Sequence, residues 1–237
     1  MMIYVMSDIH GNSKRFESVM KQINLQDNDT LYILGDVVDR FPDGIRILMK
    51  LMAMPNVKMI IGNHEYMMLN SVSVSTSKLS PEEDHILRLN RKLWYRNGGE
   101  ITHDYIKHIR KTIRKEIFDY LRELPLNYDI EVNGTKYKLA HAAPVDLFPK
   151  WGRGYRDETE FTVWERIMSY DVLPKDYTLI FGHTPTIHFQ RVNPAKIWYG
   201  QNRICIDCGC GYASDEEQTF RLACLRLDDG KEFYSEE

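Results

Sequence analysis

The chain has 237 residues, of which 43% are hydrophobic and 27% charged, and 31 basic against 34 acidic residues leave a formal charge of −3. That composition excludes a disordered chain and, without a basic surplus, a protein that holds nucleic acid by neutralising phosphates non-specifically. A chain of this length can bury its core as one α/β domain over 1–237 without a structural metal, so a metal found here serves chemistry.

Targeting signals are missing from the pattern. The start, Met1-Met2-Ile3-Tyr4-Val5, lacks the basic lead and the apolar length of a signal peptide. No apolar stretch approaches the ~18 residues of a membrane helix. Four cysteines do not make a secreted-type disulfide framework at this length. The expectation is a cytoplasmic protein with free thiols and no membrane partner. Nothing marks a dimer seam, so the oligomeric state stays open.

In chain order, residues 2–6, 30–34, 56–61, 136–140, 177–181 and 203–207 are short runs rich in Ile, Leu, Val and Tyr, and read as buried strands. Helical spacing links Phe16, Val19, Met20 and Ile23, and again Ile45, Leu48, Met49 and Met52, with Pro55 as a stop. A β-α-β-α-β opening implies parallel pairing with right-handed crossovers. Residues 71–81, rich in Ser and ending at Pro81, read as a loop. Two helices are predicted next, over 82–96 and 101–124, joined at Asn97-Gly98-Gly99. They form a helical insert at about 66–125, a candidate cap over the site whose role the sequence leaves open. Residues 219–227 alternate as a later antiparallel strand.

Five polar clusters follow predicted strands: Asp8-Ile9-His10-Gly11-Asn12, Gly35-Asp36-Val37-Val38-Asp39-Arg40, Gly62-Asn63-His64-Glu65, His141-Ala142-Ala143 and Gly182-His183-Thr184. Ligands bind α/β sheets at the carboxyl ends of strands, where loops converge on a rigid frame. Carboxylate, imidazole and amide oxygen together suit Mn, Fe or Zn; oxygen alone would have suited Mg or Ca. Taken singly, each residue has an ordinary structural explanation as a turn former or a satisfied histidine. Together they do not, because that explanation gives no reason for all to stand at strand ends. His85, His103, His108 and His188 fit no cluster and read as solvated or structural.

The ordered set DxH, GDxxDR, GNHE, a later His and GHT resembles the calcineurin-like metallophosphoesterases. It is most similar to the phosphoprotein phosphatase branch, and above all to the compact bacterial and phage serine/threonine phosphatases. The resemblance implies a β-sheet sandwich flanked by helices. It makes Asp8, His10 and Asp36 ligands of one divalent ion, with Asp36 bridging to a second held by Asn63, His141 and His183, and Mn2+ is the expected metal. Such a pair lowers the pKa of a bridging water from ~15.7 toward ~7, giving a hydroxide that attacks phosphorus. By the same resemblance Arg40 and Arg166 clamp the phosphate. His64, oriented by Asp39, protonates the leaving oxygen, which matters most for poor alkoxide leaving groups. For Arg166 a surface salt bridge is the competing explanation.

The pattern departs from that family where Phe41-Pro42 follows Arg40, where His141-Ala142-Ala143 replaces HAG, and where Ile206-Asp207-Cys208-Gly209 replaces IDTG. No proposed ligand is lost, though Phe41 leaves the shape of the pocket wall open. The expected activity is a serine/threonine-type phosphomonoesterase acting on a phosphorylated protein or peptide. A symmetrical dinucleoside tetraphosphatase is the alternative enzyme; that family characteristically lacks an acidic residue in the place of Asp39. A non-catalytic metal-binding protein, its insert docking a partner, is the alternative of another class. Trp151-Gly152-Arg153-Gly154-Tyr155-Arg156 is a candidate substrate rim, with a solvated loop covering the core as its counterpart.

Overall fold

Residues 2–6 and 30–34 are apolar at nearly every position, which suits strands buried on both faces. The computed structural model, which describes residues 1–73 and 79–236, forms both. Strand β1 (Ile3–Met6) runs parallel to β2 (Thr30–Ile33), and β2 parallel to β3 (Val57–Met59), with Met6 opposite Ile33 and Ile33 opposite Met59. The crossovers are α1 (Ser13–Ile23), capped by the Asn12 side chain on Arg15 N, and α2 (Gly44–Met52). Helix α3 (Asn63–Ser71) follows β3 directly. The loop expected over 71–81 falls partly on residues 74–78, outside the described residues.

The second sheet begins with β4 (Asn127–Val132), turns at Asn133-Gly134 and returns as β5 (Thr135–Ala140). Strand β5 pairs in parallel with β6 (Thr178–Phe181); β7 (Trp198–Gly200) forms the edge against β8 (Arg203–Cys205), which lies parallel to β6. Two antiparallel strands, β9 (Ala223–Arg226) on β1 and β10 (Glu232–Tyr234) on β9, complete the first sheet. The antiparallel strand expected over 219–227 is thus present, but shorter.

Alternate side chains of each strand feed different layers. Tyr4, Met6, Leu31 and Ile33 pack with Phe16, Ile45 and Leu48 of the first helices. Val5, Tyr32 and Leu34 meet Leu139, Ile180 and Ile206 of the second sheet. Leu179, Phe181 and Cys205 pack outward on Phe161 of α7 (Glu158–Trp164). Two sheets therefore lie face to face with helices outside each, and the parallel strands of both point their carboxyl ends at one region.

The insert differs from expectation in two ways. Helix α4 (Pro81–Arg96) is as predicted, but 101–124 divides into α5 (Glu100–His108) and α6 (Lys111–Arg122), because Ile109 and Arg110 are extended at ψ 158° and 140°. Ile106, Ile109, Ile113, Ile117 and Leu121 keep one period across the break, so nothing in the pattern marks it. The cause is tertiary: α5 packs on α2 and α6 on α3, and one straight helix cannot follow both. Nor is the insert a detached cap. Trp94, Ile106, Ile117, Phe118 and Leu121 belong to the same buried cluster as β1 and β2.

Candidate metal centre

The loops at the strand ends bend sharply, and the bend falls on the functional residues. Asp8 (φ 55°), His10 (50°), Asp36 (55°), Asp39 (73°), Arg40 (67°) and His183 (63°) all occupy the left-handed region. Among the described residues, the other non-glycine residues there are Asn24, Asn133 and Asn202, the type that tolerates it best. Each such conformation costs on the order of 1–3 kcal/mol and persists only where its surroundings enforce it. One enforcer is Glu65, in the first turn of α3. Its buried carboxylate accepts from Asp36 N (2.8 Å), Val37 N (2.8 Å), Val38 N (3.2 Å) and Gly62 N (3.1 Å), pinning the loop after β2. Another is Gly182, where a Cβ would stand 2.1 Å from Asp8 Oδ2.

All six predicted ligands are buried and converge. Asp36 is the common member: its carboxylate forms one group with His10 and His64 and another with His141 and His183, the ligand atoms of each lying within 4.8 Å of one another. His10 Nε2 stands 3.8 Å from Asp8 Oδ1 and 3.7 Å from Asp36 Oδ2, and His141 Nε2 stands 3.5 Å from Asp36 Oδ1. Asn63 Oδ1 lies 2.9 Å from His141 Nε2 and 3.0 Å from His183 Nδ1. Asp8 itself accepts from Ser7 Oγ at 2.5 Å and from His183 N at 3.0 Å.

The donor set fits divalent ions. His10 Nδ1–H donates to Val38 O (3.2 Å) and His141 Nδ1–H to Leu34 O (2.7 Å), which turns both Nε2 lone pairs into the centre. With Asn63 oriented oxygen-inward, the His141 Nε2 lone pair faces another lone-pair group at 2.9 Å, an arrangement that a cation reconciles. Burial pushes the Asp8 carboxyl up to about 6, Asp36 to about 7 and Asp207 to about 8, and carboxylate neighbours add to it: Asp36 for Asp8, Glu65 for Asp36 and Asp8 for Asp207. Burial likewise pulls His10, His141 and His183 below the usual imidazole range, the neutral form that binds metal. Positive charge between these groups would relieve all of them.

Beside the ligands, His64 Nδ1–H donates to Asp39 Oδ2 at 2.7 Å and its Nε2 faces Arg40 Nη2 at 3.2 Å and Asp36 Oδ2 at 3.9 Å. The Arg40 guanidinium lies over the Tyr212 ring, 4.8 Å from its centroid. Arg15 holds that segment in place by donating to Cys210 O, Tyr212 O and Ser214 Oγ at 2.9 to 3.0 Å. Arg166 is exposed at the rim and donates to Thr184 Oγ1 at 3.0 Å and His183 O at 3.4 Å; among the described residues, no carboxylate holds it in the salt bridge that was its competing explanation. Phe41 lines a separate surface cleft with Gly11, Lys14 and Pro42.

Sequence reasoning assigned no role to Glu65, Asp207, Tyr212 or Trp94. Glu65 and Asp207 stood inside motifs as quoted; Tyr212 and Trp94 carry no motif. The rim segment shows features of its counterpart, the loop that covers the core. Trp151 and Tyr155 pack on the Phe161 cluster, and Arg156 pairs with Asp157 and donates to Tyr66 Oη, so its charge is already engaged. The four cysteines are free and buried. No helix among the described residues is long and apolar enough to cross a membrane.

Two β-sheets packed face to face, with carboxylate, imidazole and amide ligands on the converging strand ends, define a metal-dependent hydrolase class. The chain belongs to the calcineurin-like phosphoesterase family, whose model matches residues 1–224. Among curated relatives, a symmetrical bis(5'-nucleosyl)-tetraphosphatase of Proteus mirabilis is 27% identical over 188 residues, covering 78% of this chain and 59% of that protein. The protein of the same name from Erwinia tasmaniensis is 34% identical over 189 residues, covering 78% and 58%. The chain thus spans less than two thirds of the length of these relatives. A solved structure provisionally described as a diadenosine tetraphosphatase superposes with TM-score 0.60 at 20% identity, covering 98% of this chain and 92% of that chain. A protein serine/threonine phosphatase of Saccharomyces cerevisiae superposes with TM-score 0.55 at 13% identity, covering 100% and 80%. At those identities the two structures speak for the fold.

Proposed function

We propose that this phosphoesterase hydrolyses phosphate monoesters of the phosphoserine or phosphothreonine kind, on a phosphorylated protein or peptide, with two divalent ions, Mn2+ foremost. The observation that carries this reading is the buried Asp39–His64 pair at 2.7 Å. Two ions held by Asp8, His10 and Asp36 and by Asp36, Asn63, His141 and His183 would supply hydroxide at neutral pH and positive charge for the phosphate. Arg40, with its fork of N–H donors beside the centre, binds phosphate oxygens, and Arg166 reaches them from the rim. His64, its Nδ1–H donated to Asp39, acts as the imidazolium: the second proton, on Nε2, passes to the leaving oxygen and leaves His64 neutral with Nδ1–H still on Asp39. An alkoxide leaves poorly without that proton.

A second reading is a symmetrical dinucleoside tetraphosphatase. The names of the curated relatives support it better than they support the phosphoprotein reading. A nucleoside diphosphate leaves as a stable anion and needs protonation far less, so an oriented acid at His64 argues the other way. The deciding experiment compares kcat/KM for a phosphoserine peptide, diadenosine tetraphosphate and p-nitrophenyl phosphate on Mn2+-loaded protein. The phosphopeptide is expected to lead diadenosine tetraphosphate. The reverse order would install the second reading, and no turnover of any ester at full metal occupancy would leave a metal-binding protein without catalysis.

A further inference from the structure

The helical insert meets the centre at one corner. Trp94 Nε1–H donates to Asp39 Oδ2 at 2.7 Å, Thr102 Oγ1 accepts from Asp39 N at 3.0 Å, and Gly98 O accepts from Arg40 N at 3.1 Å. Trp94 is fully buried, and a Cβ on Gly99 would stand 2.2 Å from the indole, so the turn after α4 is shaped around this ring. The carboxylate oxygen that Trp94 touches is the one that His64 Nδ1 meets, also at 2.7 Å. The other oxygen, Oδ1, is buried with no hydrogen-bond partner among the described residues.

We infer that Trp94 is a positioning residue for the proton-donating pair, fixing the tautomer and aim of His64 through Asp39; this rests on the proton-donor reading of His64. An indole N–H can only donate, so Asp39 Oδ2 must accept from it. An oxygen carrying its own proton would be a poor acceptor for both neighbours, so Oδ2 is bare and His64 holds its proton on Nδ1. Nε2, which must carry a second proton to serve as the donor, then faces the centre. Without the indole the carboxylate is free to turn about its Cβ–Cγ bond, because Oδ1 makes no bond that resists, and the imidazole loses its fixed aim. The insert thus acts on the chemistry from behind the acid.

The test is Trp94→Phe, which keeps an aromatic ring and removes the donor. Loss of one charge-assisted hydrogen bond is expected to lower kcat on a phosphoserine peptide about tenfold, with KM and the kcat on p-nitrophenyl phosphate held within about twofold. In a His64→Asn background the same change should add nothing to the loss on the phosphopeptide. In metal-free protein the His64 Nδ1–H proton, observed by NMR on 15N-labelled imidazole, should be protected from exchange in the wild type and lose that protection in Trp94→Phe. Trp94→β-(3-benzothienyl)alanine, which keeps the two-ring shape without an N–H, should repeat these results and covers the case in which Phe does not fold. Equal slowing of both esters, an undiminished effect in the His64→Asn background, or unchanged Nδ1–H protection would overturn the assignment. If His64→Asn alone slowed both esters alike, the proton-donor reading would fail first, and the positioning role with it.

Discussion

Asp36 is the side chain common to both groups of convergent ligand atoms. Asp36→Asn is expected to empty both metal positions and to lower turnover by more than about 100-fold, because even the outer partners of metal ligands cost 10–100-fold. Metal analysis of the purified variant checks this, and two retained ions would contradict it. Arg40→Ala should weaken inhibition by inorganic phosphate about 10–100-fold, the worth of a charge-assisted pair, while leaving metal content unchanged. Asp8, His10, Asp36, Asn63, His64, His141 and His183 were legible one motif at a time, because each follows an apolar run that a strand must occupy. Tyr212 and Trp94 were not. They stand 172 and 55 positions from the groups they touch, and only the folded chain brings an ordinary aromatic against Arg40 or Asp39.

At the scale of the element, α3 does two jobs at its first turn. It begins at Asn63, offers His64, and turns Glu65 back onto four backbone N–H groups of the neighbouring loops. Glu65→Gln replaces a carboxylate oxygen with an NH2 that faces those donors, and should cost about 2–4 kcal/mol in urea unfolding. A loss under about 0.5 kcal/mol, the size of a neutral surface change, would contradict this account. The strands were readable because those buried on both faces leave continuous apolar runs. Helix α3 was hidden: Asn63–Ser71 has almost no apolar stripe, since buried Asn63, His64 and Glu65 serve the site where a core helix would carry aliphatic residues. The α5–α6 break was hidden for the opposite reason, as its apolar period continues unbroken across Ile109 and Arg110. The β4–β5 hairpin carries a readable turn in Asn133-Gly134, both at positive φ.

For the whole molecule, two sheets deliver charged groups to a buried centre, and the metal-free protein bears the cost. Asp8, Asp36 and Asp207 have folded-state pKa values raised to about 6, 7 and 8 from an ordinary 3.8. The sign follows: their contribution favours the fold below about pH 4 and is lost as pH rises through 6 to 8, because each must ionise while buried. Bound divalent ions remove that cost, and protons compete with them at low pH. The Tm gain from saturating Mn2+ is therefore expected to grow between about pH 5 and about pH 8. A gain that is flat or falls over that range would show that these carboxylates do not face the ions. The most direct test of the central claim is to titrate chelator-treated protein with Mn2+ while following both bound metal and phosphate-ester turnover. The account predicts negligible turnover without metal and full turnover as two ions bind per chain; full turnover in metal-free protein would contradict it.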